Sequence, residues 1–246
     1  MKESLSSIFA GEFNRLTSRG ELTALRGKNK EWAIEYFKKA LFSSFEVDEL
    51  QKEIELILSK VSHKNVGFLT KILSLEELVL MLKLYLISWS TMKDVMAKFI
   101  SETLDLGIAD IDLSFGSILR NKKVQQTRIP EICNKYNKVL DIGSTDRARN
   151  EVAHRGKLLD EEVKSLKLMK SKIESSKYSL LLKESERISE EEYKTQMKEY
   201  YDQLKRLVDE KRKQHEEHFH KTIELNEALT LELASIYHSH LCEYRT

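Results

Sequence analysis

Residues 74–100 read S-L-E-E-L-V-L-M-L-K-L-Y-L-I-S-W-S-T-M-K-D-V-M-A-K-F-I. Ser74 with Glu77 three positions on has the form of a capping box, in which each side chain accepts the other residue's backbone N–H. Behind it Leu78, Val79, Leu82, Tyr85, Leu86, Trp89, Met92, Val95, Met96, Phe99 and Ile100 recur at the spacings of one helix face. This helix is the spine of the fold. Its middle is apolar on more than one side, so several neighbours should bury it, a second subunit among them.

Downstream, Gly107 is expected to end the spine, and Leu113–Asn121, with Phe115, Ile118 and Leu119, to form a shorter helix. Ile129-Pro130 opens another, with Pro130 at its first position and Ile132, Tyr136, Val139 and Leu140 on the apolar face, and Gly143 stops it. A further helix is expected from Leu159 to about Tyr178, with Asp160, Glu161 and Glu162 in its first turn and Val163, Leu166 and Met169 packing on the spine. Four helices around one core, residues 74–182, is the economical arrangement. Upstream, residues 1–73 form an N-terminal helical extension: a helix and loose connection to Lys30, an amphipathic helix from Glu31 to Ser44, and a second beside it through Val47, Leu50, Ile54 and Val61, with Asp48 and Glu49 in its first turn. The aromatic stripe of Trp32, Tyr36 and Phe37 reads as core rather than as a platform for stacking bases. A break at Ser62–Gly67 and a short apolar piece, Phe68–Leu73, lead into the spine.

Residues 183–246 read as one long helix from Ser189 to about Tyr244, packing on or projecting from the core. A heptad-like seam runs through Met197, Tyr201, Leu204, Val208, Lys211, His215, His218, Thr222, Leu225 and Leu229. Its centre, Asp209–Lys221, is polar and is expected to be solvated. His215, His218 and His220 in that centre read as a solvated face rather than a zinc site, for want of a third ligand at a convincing separation.

Composition agrees with an all-α chain. Its 246 residues include one proline and eight glycines. A hydrophobic fraction of 41% supplies a core, while 33% charged residues and a mean hydropathy of −0.46 imply much solvated helix surface. Cys133 and Cys242 give neither a metal spacing nor a disulfide framework, so a reduced, cytoplasmic setting is expected. The apolar run Leu78–Trp89 is interrupted by Lys83 and too short to span a bilayer, and residues 1–13 lack the apolar core of a signal peptide; a soluble protein without a membrane partner is expected. Net charge is only +1, but residues 120–177 hold 15 Lys and Arg against 8 Asp and Glu. Positive charge collects there, as a phosphate-binding groove requires.

Inside that basic region lies residues 144–158, S-T-D-R-A-R-N-E-V-A-H-R-G-K-L. Ser144 can cap a short helix and Gly156 can end it. Ala148 and Val152 make an apolar stripe, and Arg147, Asn150, Glu151 and His154 a polar one. Arg149 and His154 are five residues apart, about 140° around the helix, so their heads converge only at the edge of a groove. Imidazole passes protons near neutral pH and guanidinium grips phosphate bidentately. The pair therefore suits cleavage of a phosphodiester by its neighbouring 2′-hydroxyl, which needs proton transfer and charge stabilisation but no metal.

The hexapeptide R-N-E-V-A-H resembles the R-x(4–6)-H motif of HEPN-superfamily domains, over roughly Leu75–Tyr178. The resemblance implies an α-helical bundle that dimerises through its motif face, and a metal-independent endoribonuclease without a cofactor, often a toxin or defence effector restrained by an antitoxin or regulatory protein. It implies that Arg149 stabilises the phosphate, that Asn150 orients the phosphate or His154, and that His154 is the general acid or base. Arg147, Arg155, Lys157, Arg120, Lys122 and Lys123 would hold the RNA; Arg128 could join them. Two other classes compete. A HEPN-like module without catalysis would be a dimerisation or partner-binding scaffold, and a metal-dependent enzyme would use the histidines around His215.

Overall fold

The computed structural model describes residues 4–18, 28–61, 64–66, 69–71, 73–140, 152, 160–179, 184 and 187–243. The chain is all-α, as expected, apart from a ribbon of two three-residue strands. No helix among the described residues is long and apolar enough to cross a membrane.

The elements are α1 (Leu5–Ser18), α2 (Lys28–Lys60), β1 (Lys64–Val66), β2 (Leu69–Lys71), α3 (Leu75–Thr103), α4 (Phe115–Leu119), α5 (Lys122–Gln125), α6 (Ile129–Leu140), α7 (Glu161–Tyr178) and α8 (Glu190–Glu243). The two helices expected over 31–61 are a single one, α2, since no glycine or proline interrupts residues 28–60. Asp48, read as a first-turn residue, lies inside it. Its buried carboxylate accepts the backbone N–H groups of Leu5 and Ser6, both at 2.9 Å, and so caps α1 from another helix. Beyond α2, Val66 pairs with Leu69 and Lys64 with Lys71 in an antiparallel ribbon where only a break and a short apolar piece were expected.

α3 is the spine. Its capping box forms as the sequence implies: Ser74 N–H donates to Glu77 Oε2 at 2.8 Å and Glu77 N–H to Ser74 Oγ at 3.1 Å. Its C-terminus comes earlier than Gly107. Leu106 N–H reaches back to Ser101 C=O at 3.0 Å and Asp105 N–H to Glu102 C=O at 3.3 Å, the paired bonds of a Schellman ending. Asp105 takes the left-handed position with φ 46°, and Gly107, φ 63°, shapes the loop that follows. The helix expected over 113–121 is shorter, α4, with Ser114 and Ser117 capping it reciprocally, and a separate turn, α5, follows, capped by Asn121, which accepts Lys123 N–H at 2.9 Å.

The chain divides into two compact units, residues 1–54, 88–146 and 218–246, and residues 55–87 and 147–217. In the first, aromatic rings dominate the core. Phe9 meets Phe99 edge-on at 5.1 Å, and Tyr237 lies 5.2 Å from Tyr36, 5.7 Å from Phe9 and 6.1 Å from Phe37, all within the range of favourable ring pairs. α6 adds Ile129, Ile132, Cys133 and Tyr136, all buried. In the second unit Leu75, Leu78 and Leu82 of α3 pack with Val163 and Leu166 of α7 and with Tyr200, Leu204 and Val208 of α8; Met169 is partly buried there. This is the packing on the spine that the α7 pattern implied.

α8 starts from a capping box of its own, with Ser189 N–H donating to Glu192 Oε2 at 2.9 Å and Glu192 N–H to Ser189 Oγ at 3.2 Å. Two positions of the expected seam are displaced. Tyr200 is buried and Tyr201 exposed, and Asn226 is fully buried beside a half-buried Leu225. The expectation of a solvated centre fails on one face: His218 and Phe219 are buried, and the Lys211 side chain is only 13% exposed. The polar groups there are paired within the protein, which makes their burial tolerable.

Candidate functional site

The motif residues Arg149, Asn150 and His154, with Arg147, Arg155 and Lys157, lie outside the described residues. Val152, between the motif arginine and histidine, is helical and 5% exposed, in keeping with the apolar stripe that its spacing from Ala148 implies. What can be built from atoms is how each side of the segment is held.

On its N-terminal side, in the first unit, α6 ends close to His218 of α8. The His218 ring stacks on Trp89, centroids 4.2 Å apart at 27°, and its Nε2–H donates to the Val139 carbonyl. A carbonyl in the last turn of a helix lacks an intrahelical donor, and the imidazole supplies one. Burial pushes the His218 pKa below its usual value, against the opposing pull of the Val139 hydrogen bond; nearby Lys221 adds to the lowering.

On its C-terminal side, in the second unit, Asp160 caps α7 by accepting Val163 N–H at 3.0 Å. Lys211 of α8 grips the same turn, with Nζ 2.9 Å from Asp160 and 2.6 Å from Glu162. Burial disfavours its charge, but the hydrogen bonds it donates to Glu162 and Asp160 outweigh that and hold the pKa above the ordinary lysine value. His215, one helical turn on, has its ring 4.2 Å from that of Tyr85. Among the described residues no group of three or more His, Cys, Asp or Glu converges as a metal cage would.

The basic residues expected to precede the motif belong to the first unit, whereas the chain from Arg147 belongs to the second. Arg120 and Lys122 are exposed. Lys123 is exposed too, and its ammonium lies 3.5 Å from Leu104 C=O and 3.3 Å from Asp105 C=O, at the negative end of α3. Arg128 gives its backbone N–H to Glu232 at 3.1 Å. Periodicity does not reveal His218 or Lys211 as structural groups. Their signal is a histidine and a lysine falling on a seam whose flanking positions, Leu204, Val208 and Leu229, are apolar, which demands partners.

No known family model, curated protein or solved structure matches the chain.

Proposed function

We propose that the protein is a metal-independent endoribonuclease of the HEPN type that works as a homodimer, a toxin or defence effector of the cytoplasm. The observation that carries this reading is Arg149-Asn150-x3-His154 in an all-α chain, in a region with an excess of seven positive charges. His154 takes a proton from the 2′-hydroxyl or gives one to the leaving 5′-oxygen. Arg149 neutralises the charge that grows on the phosphorane, and Asn150 orients the phosphate or the imidazole. Anchoring of α6 by His218 and of α7 by Lys211 supports the reading, since a catalytic segment needs fixed ends. Leu80, Leu84 and Ile87, 52%, 38% and 40% exposed along one stripe of α3 in the unit that also contains residue 147 onward, offer a surface for a second subunit.

The test is cleavage of total RNA in EDTA by wild type and His154→Ala, with circular dichroism on both. The expected result is cleavage by wild type alone, with identical helix content. Equal cleavage by the variant, or loss of wild-type cleavage to the chelator, would remove the mechanism. A stable dimer that cuts no RNA would instead favour the scaffold reading.

A further inference from the structure

In the first unit α2 buries one face, with Tyr36, Ala40, Val47 and Leu50 turned into the core. Its opposite face carries a second repeat that this core does not explain. Glu35, Lys38, Phe42, Phe45, Glu49 and Lys52 are all exposed and follow one another at alternating intervals of three and four residues. That is the spacing with which one helix meets another along its length, here over about 25 Å. At its centre Phe42 and Phe45, neighbours on one stripe, are 63% and 43% exposed. Two phenylalanines side by side in water are a site for association, since covering them removes apolar surface from solvent.

The order of the charges says what covers them. Along the stripe the residues read acid, base, Phe, Phe, acid, base. A second copy of the stripe, turned end for end about a two-fold axis between Phe42 and Phe45, sets Phe42 against Phe45, Lys38 against Glu49 and Glu35 against Lys52. Symmetry makes each of these pairings twice, so the face is complementary to itself. A parallel arrangement would set Lys38 on Lys38 and Glu49 on Glu49, and like charges exclude it. Charges on such a seam fix direction and register, while the rings supply the attraction.

We propose that this stripe of α2 pairs antiparallel with the same stripe of a second copy of the chain. The contact lies in the first unit and uses neither the motif nor the exposed stripe of α3. It joins two of the proposed homodimers rather than forming one, and with both contacts in use four chains close the assembly. Its fate leaves the reading of RNA cleavage untouched.

The experiment is light scattering and sedimentation of the full chain carrying Leu80→Glu/Leu84→Glu, so that the α3 stripe takes no part. The expected result is a mass of two chains, reduced to one by Phe42→Glu/Phe45→Glu. Lys38→Glu places carboxylates opposite each other at both symmetric positions and is expected to weaken association about tenfold or more, and adding Glu49→Lys in the same chain to restore it. Every substituted residue is exposed and each replacement is a good helix former, so circular dichroism should show unchanged helix content. A mass of one chain at about 100 μM before any change in α2 would leave the face to some other protein and overturn the proposal. So would an unchanged mass in the phenylalanine variant, association of Lys38→Glu as tight as that of its parent, or failure of the charge exchange to restore what Lys38→Glu removed.

Discussion

Asp105 holds φ 46° at the end of α3, a conformation that costs an L-residue about 1–2 kcal/mol and glycine nothing. Asp105→Gly is therefore expected to raise the urea midpoint by about 1 kcal/mol in stability, with no change of helix content. Asp48 works the other way: Asp48→Ala removes the acceptor for two N–H groups of α1 and is expected to cost about 2 kcal/mol in the same assay. His218 makes stability depend on pH. In the unfolded chain an imidazole takes its proton near pH 6.5, while burial against Trp89 postpones that to lower pH in the fold. The unfolded chain thus binds more protons in that window, and stability, full above about pH 6.5, falls as acid is added. His218→Phe, which keeps a ring against Trp89 but cannot titrate, is expected to flatten the fall of melting temperature between pH 7 and 5; an unchanged slope would place the titration elsewhere. None of these three roles is legible from residue type. Each depends on a partner between 42 and 129 positions away or on a backbone angle, and helix periodicity carries neither.

Among the elements, those with local signals were the readable ones. The boxes Ser74–Glu77 and Ser189–Glu192 are closed within four residues, so the starts of α3 and α8 follow directly from the sequence. Ser74→Ala is expected to lower stability by about 1 kcal/mol, read from the thermal transition. The fusion of two expected helices into α2 was hidden because Asp48 and Glu49 resemble first-turn acids when tertiary contacts are unknown. The buried centre of α8 was hidden for a related reason: Lys211 and His218 look solvated until Asp160, Glu162 and Val139 are placed against them. Lys211→Ala leaves two carboxylates at the start of α7 without their counter-ion, and about 1–3 kcal/mol of destabilisation is expected in denaturant unfolding. Rescue by Lys211→Arg would support an electrostatic cause.

For the whole molecule, the all-α class followed from one proline, eight glycines and the periodicity of α3. Arg149, Asn150 and His154 lie outside the described residues, so the proposed activity comes from their sequence pattern, beside the anchors that His218 and Lys211 provide. The proposed homodimer would form through the exposed stripe on α3. Leu80→Glu/Leu84→Glu is expected to halve the solution mass, measured by light scattering, and to depress cleavage with it, because charge on that stripe would oppose association of two subunits. The ends of the cut RNA record which bond is broken and which group breaks it. Analysis of the ends left on RNA cut by the wild-type protein in EDTA tests this most directly: attack by the neighbouring hydroxyl predicts a 2′,3′-cyclic phosphate and a 5′-hydroxyl. Ends bearing a 5′-phosphate and a 3′-hydroxyl, or RNA left whole at an excess of protein, would contradict it.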